Sequence, residues 1–238
     1  MKSAAWRLAP GGLEFSLTAG RLAGLGPAAR VIEAGCGMGL TAVELAQHFG
    51  CQIEAFDLYP DFIHQAEELA RSQGVAAQTR FHCTDILHAQ LDPSSYDLAL
   101  ADGGVLTAVT DREALLRQFY QALKQGAHLY LTDLVVHPWA PESVTAYYQQ
   151  LRTGSEQLYR RLLPRLGFEL TFVALLPPST WQHYFYQINQ AARQRLGFLK
   201  TAEAVAQIHQ EATLYYREGG RGSLDYLFIL ARKVGLKE

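Results

Sequence analysis

Between Ala29 and about Val136, short apolar runs rich in β-branched and aromatic residues alternate with longer stretches whose apolar positions recur at helical spacing. The runs fall at residues 30–34, 52–56, 79–83, 96–101 and 127–131. Strands separated by helices in this way read as βαβ units and predict a mainly parallel sheet. Residues 39–49 predict a helix stopped by Gly50, and residues 60–72 one that opens on proline and ends before Gly74. Residues 110–124 predict a third, opened by a capping box of Thr110 and Glu113, with Leu115, Leu116, Phe119 and Leu123 on one face.

After Val136 the rhythm changes. Residues 141–150 and 155–166 predict helices, 168–176 a sixth strand and 224–233 a seventh. About forty residues separate these two strands, more than a compact crossover needs. They predict two added helices, the first opened by Ser179 and Gln182, joined around Gly197 and closed by Gly219, Gly220 and Gly222. The expected fold class is α/β: a doubly wound, mainly parallel seven-stranded sheet with an added helical subdomain between the last two strands. Residues 1–238 are expected to form one domain, with its core at about 27–178 and 223–235 and a helical insertion at about 179–220. The insertion is placed to cover a face or a pocket.

Composition narrows the function. Apolar residues make up 49% and charged residues 18% of 238, the balance of an ordinary globular enzyme rather than a disordered chain. A net charge of -2 excludes a globally basic nucleic-acid binder, so no nucleic-acid partner is expected. Cys36, Cys51 and Cys83 form no CxxC or metal-ligand spacing, which predicts neither a disulfide framework nor a metal site and fits a reducing cytoplasm. Residues 1–12 lack the apolar core of a signal peptide, and no run approaches the ~20 apolar residues of a membrane span. A homodimer is compatible with the sequence.

The strongest chemical signal is Val31-Ile32-Glu33-Ala34-Gly35-Cys36-Gly37-Met38-Gly39, a buried strand ending in an acidic residue and three alternate glycines. Such a strand-to-helix turn needs positive φ and room for a ligand, and glycine supplies both. Asp57 ends the next strand about twenty residues on, where a ribose-binding carboxylate would stand, so a nucleoside-containing cofactor is implied. Leu40 and Thr41 provide no lysine of a GxxxxGK[ST] loop, which argues against ATP or GTP hydrolysis. The third glycine comes one residue early for a dinucleotide fingerprint, and Glu33 would repel a pyrophosphate. A ligand presenting an amine or cation suits Glu33 better.

These residues resemble the first motif of the class I S-adenosylmethionine-dependent methyltransferases, specifically a small-molecule, type 11-like branch with a Rossmann-like fold. The resemblance implies that Gly35, Cys36, Gly37 and Gly39 pack against the methionine part of S-adenosylmethionine and that Glu33 positions its amino-acid end. It also implies ribose binding by Asp57, adenine contacts from Leu58 and Ile86, and a bond from Asp85 to the adenine amino group. It further implies a cofactor contact at Ala101, before the Asp102-Gly103 step that ends the fourth strand. The expected activity is methyl transfer to a small-molecule acceptor by in-line displacement, leaving S-adenosylhomocysteine. Two rivals are a non-catalytic cofactor-binding module and, with less support, a nicotinamide-dependent oxidoreductase.

The acceptor chemistry is less readable, because a sulfonium is already a good leaving group and orientation can supply several kcal/mol without an acid-base pair. Asp102 and His137 are the candidate catalytic bases. Asp102 equally suits a strand-ending turn, and His137 a structural role. Trp181 and Tyr184, in the aromatic run Trp181-Gln182-His183-Tyr184-Phe185-Tyr186, are candidates for substrate contact or for core packing. Residues 10–14 also resemble a segment that folds over the cofactor in such enzymes.

Overall fold

The computed structural model describes residues 8–195 and 197–235; the first seven positions of the N-terminal reading lie outside them. In chain order the elements are α1 (Leu13–Leu22), β1 (Arg30–Ala34), α2 (Leu40–Phe49), β2 (Gln52–Asp57), α3 (Pro60–Ser72), β3 (Thr79–Cys83), β4 (Tyr96–Ala101), α4 (Val105–Ala108) and α5 (Arg112–Ala122). There follow β5 (Leu123–Val136), α6 (Glu142–Tyr148), α7 (Glu156–Arg165), β6 (Phe168–Leu175), α8 (Ser179–Gln194), α9 (Ala202–Arg217) and β7 (Leu224–Lys233).

The seven strands form one sheet in the order β3-β2-β1-β4-β5-β7-β6. The first five run parallel, and β7 lies antiparallel between β5 and β6. The order reverses between β1 and β4, and in an open α/β sheet this is where a crevice opens beyond the carboxyl ends of the strands. Alternation along the strands divides the core into two layers. Val31, Leu98, Leu100 and Tyr130 face one layer, with α1, α2, α3 and the insertion; Ile32, Ala99, Leu129 and Leu131 face the other, with α5 and α7.

Three features expected from sequence are corrected. The capping box of Thr110 and Glu113 does not open α5: Asp111 caps it instead, its Oδ1 accepting from the Ala114 N–H at 2.9 Å. Likewise Ser179 is the first residue of α8 rather than its cap, and Pro178 precedes it with no side-chain bond. The fifth strand is also far longer than residues 127–131, because Gly126 at φ 79° lets residues 123–126 join through a register shift opposite Tyr96 and Leu98.

Between β6 and β7, α8 and α9 pack through a nest of rings. Trp181 stacks on Tyr215 with centroids 4.9 Å apart and meets Tyr226 edge-on at 6.0 Å. The turn joining the two helices docks on α3. There Gly197, at φ 52°, sits where a Cβ would strike the Phe62 ring at 2.3 Å; Phe198 approaches Tyr59 and Phe62, and Lys200 pairs with Asp61. Tyr59 is two residues beyond Asp57, so the insertion is anchored beside the tip of β2. No helix among the described residues is long and apolar enough to cross a membrane.

Candidate active site

The turn after β1 holds Gly35, Gly37 and Gly39 at φ 67°, 52° and 76°. A Cβ on Gly35 would strike Val105 Cγ2 at 2.3 Å, and one on Gly39 would meet Ala66 at 2.6 Å. One on Gly37 would meet nothing within 4 Å. Packing therefore demands the outer two glycines, while the middle one presents bare backbone to open space, as a ligand cradle requires.

Asp57 ties the next strand to this loop. Its carboxylate accepts from the Gly37 N–H at 2.8 Å and from the Tyr59 N–H at 3.0 Å. The Cys36 N–H donates to the Phe56 carbonyl and the Thr84 N–H to the Asp57 carbonyl, each at 3.0 Å, so the tips of β1, β2 and β3 are laced together. Burial pushes the Asp57 carboxyl up from its ordinary value, and the backbone N–H groups of Tyr59, Gly37 and Leu58 hold it partly back. A carboxylate has about four lone-pair sites, so these donors leave acceptor capacity for a ribose hydroxyl.

Glu33, only 2% exposed, shares this neighbourhood. Burial, and then the charges of Glu33 and Asp57, push the Cys36 thiol well above its ordinary range. That thiol is a neutral packing group rather than a nucleophile. At the β3 tip, Asp85 turns one oxygen to the Leu87 N–H at 2.9 Å and lies 3.6 Å from His88, while Ile86 is buried beneath. Leu58 is 61% exposed and thus has a face to offer a ligand; Ala101 is wholly buried and has none.

The other candidates separate. Asp102 is buried, with Oδ2 accepting from the Ser16 hydroxyl at 2.9 Å and Oδ1 from the Thr132 hydroxyl at 2.8 Å. It clasps α1 to β5 at the tip of β4, where a Cβ on Gly103 would meet Ala9 at 2.8 Å. The segment at residues 10–14 is thereby held over the β4 end of the crevice. His137 lies apart, because the long β5 carries it five residues beyond Thr132, about 17 Å along the strand. There its Nε2 pairs with Asp225 at 2.6 Å and its ring stacks on Trp139 at 4.3 Å. Trp181 is 2% exposed inside the ring nest.

Tyr184 borders an open cavity of about 880 Å³ lined by α6, α8, α9, Thr107 of α4 and Leu8. Thr107 in its wall lies on the same short helix, α4, as Val105, whose side chain covers Gly35. Glu211 stands in its wall and accepts from the hydroxyls of Tyr148 at 2.8 Å and Tyr184 at 2.7 Å. Burial pushes the Glu211 carboxyl up, against the pull of those two bonds. Neither Glu211 nor Tyr148 is among the candidate residues named from the sequence. The available signal was the spacing Ile208, Glu211, Tyr215, which sets a carboxylate on the buried stripe of α9.

Fold and strand tips together define a nucleoside-binding α/β protein. A family model described as a methyltransferase domain matches residues 31–126. The chain is 30% identical over 224 residues to sarcosine/dimethylglycine N-methyltransferase of Halorhodospira halochloris, covering 88% of this chain and 77% of that one. It is 28% identical over 162 residues to phosphoethanolamine N-methyltransferase 3 of Arabidopsis thaliana, covering 67% of this chain but only 32% of that longer protein. Among solved structures, Haemonchus contortus phosphoethanolamine N-methyltransferase 2 superposes with a TM-score of 0.75 at 21% identity, over 95% of this chain and 54% of that one, which shows the common fold. The chain belongs to the class I S-adenosylmethionine-dependent methyltransferases.

Proposed function

We propose that this chain is an enzyme that transfers a methyl group from S-adenosylmethionine to a small-molecule acceptor. The observation that carries the reading is the lacing of three strand tips around Gly37 and Asp57, with Glu33 beside them and open space at Gly37. The residues fit the cofactor: Gly35, Gly37 and Gly39 would cradle its methionine part, Glu33 would face its ammonium, and Asp57 would bond the ribose hydroxyls. Asp85, Ile86 and Leu58 would hold the adenine. When bound, S-adenosylmethionine supplies a methyl carbon on a sulfonium, which accepts the acceptor's lone pair as the carbon–sulfur bond breaks and leaves a neutral thioether. The chain's own work is to orient the acceptor, hold water out and fix the N-terminal segment over the crevice. Asp102 serves this last role as a positioning residue through Ser16 and Thr132, and His137 serves the outer end of β5.

The insertion at 179–220 belongs in this reading to the same domain as the core, forming the wall of the acceptor cavity. Three free cysteines support a reducing, cytoplasmic setting, and the absence of a basic balance supports a small molecule over a nucleic acid. Calorimetric titration with S-adenosylhomocysteine and with NAD tests the cofactor assignment, and binding of NAD alone would overturn it. Incubation with methyl-labelled S-adenosylmethionine and a metabolite pool tests turnover; a protein that holds the nucleoside yet labels nothing is a binding module.

A further inference from the structure

Among the described residues lining the cavity between α6, α8 and α9, the charged side chains are Glu211 and Glu218, with no lysine, arginine or histidine. A volume of about 880 Å³ suits a small molecule. Glu211 comes from the middle of α9, and its two oxygens receive hydroxyls from α6 and α8, so three helices are drawn to one carboxylate. Burying a carboxylate is costly unless it is hydrogen-bonded or paired with a cation. Two hydroxyls satisfy about half of its four acceptor sites, leaving the rest for a ligand. Tyr147, Tyr148, Tyr184 and Phe198 supply rings around the same space, and aromatic faces attract cations.

We propose that this cavity receives an acceptor bearing a positively charged amine, with Glu211 as its counter-charge and the surrounding rings as its walls. The proposal rests on the methyltransferase reading for the word acceptor, but the amine site stands on the cavity itself. Packing alone would place an apolar residue on this stripe of α9, as at Ile208 and Leu214.

The test is calorimetric titration of the full chain with benzylamine, benzyl alcohol and benzoate, three probes of like shape and different charge, each with and without S-adenosylhomocysteine. Benzylamine is expected to bind about tenfold more tightly than the alcohol, and benzoate more weakly than either. In Glu211→Gln the amine should lose about tenfold while the alcohol is unchanged, and Glu211→Asp, which keeps the charge, should retain the preference. Equal binding of the three, a preference for benzoate, no binding of any probe, or an amine preference that survives Glu211→Gln would overturn the proposal. If Glu211→Gln does not fold, the order of the probes on the wild-type chain decides alone. Failure of the wild-type chain to bind S-adenosylhomocysteine would strike the methyltransferase reading instead, and the titrations made without it would still report on the amine site.

Discussion

The strand-tip crevice and the cavity among α6, α8 and α9 are built by different means. On the cofactor side, the groups come from consecutive residues at strand ends and act largely through backbone: glycines at positive φ, and N–H donors directed at Asp57. In the cavity proposed for the acceptor, the groups are side chains on three helices, and Tyr148 is 63 positions from Glu211. A nucleoside can be held by turns that any chain of this topology must make at its strand tips. An acceptor pocket has no such template, and each member has to be brought by tertiary packing.

Substitutions can separate the two sites. The largest effect is expected from Gly39→Val, which forces a β-branched residue into positive φ and against Ala66, whose Cα would lie 2.9 Å from the new Cβ. Strain and overpacking together should cost about 3 kcal/mol, read as a lower urea midpoint, with nucleoside binding abolished. Asp57→Asn should leave the fold intact yet weaken S-adenosylhomocysteine about tenfold to a hundredfold, with benzylamine binding changed by less than about twofold. If both ligands weaken equally under Asp57→Asn, the two sites are not independent.

A third experiment perturbs the sheet between the two. Asp133 on β5 is wholly buried, paired with Arg112 at 3.1 Å and bonded by the Tyr159 hydroxyl at 2.6 Å. Burial nonetheless pushes its carboxyl from 3.8 up to about 6. The folded chain then keeps a proton that the unfolded chain releases, so this group's contribution to stability is full below pH 3.8 and is lost as pH rises through about 6. Asp133→Asn should flatten that part of the urea-midpoint profile without altering either ligand. The smallest effect is expected from Ser16→Ala, which removes one bond to Asp102 and should cost about 1 kcal/mol, seen as a modest drop in melting temperature.

What the sequence disclosed follows the same division. Strand tips are local, so the placing of Glu33, the three glycines, Asp57 and Asp85 at the ends of β1, β2 and β3 could be read from their order alone, as could β7 from its apolar run. Caps were legible only to the neighbouring residue, because Thr110 and Asp111 offer the same chemistry and the turn chose the second. The length of β5 was hidden by Lys124-Gln125-Gly126, which has the composition of a turn but is drawn into the sheet by β4. The clasp of Ser16 on Asp102 spans 86 positions, and nothing local to Ser16 announces it. Glu211 broke the apolar stripe of α9 in plain view, yet its meaning depended on Tyr148 and Tyr184 arriving from elsewhere. His137 follows the fifth strand as expected, but the reach of that strand takes it away from the glycine turn.

The strand order has a consequence for assembly. β7 is the last strand among the described residues, yet it is threaded between two earlier ones, pairing with β5 from His128 to Val136 and with β6 along its other edge. Until Leu224–Lys233 emerges and slides into that slot, β5 has a bare edge and β6 no sheet to join. Contacts of such long range form slowly, and open edges invite pairing with other chains. A nascent or truncated polypeptide lacking this closing strand would expose two sticky margins at once, making the C-terminal segment the keystone of solubility as well as of shape.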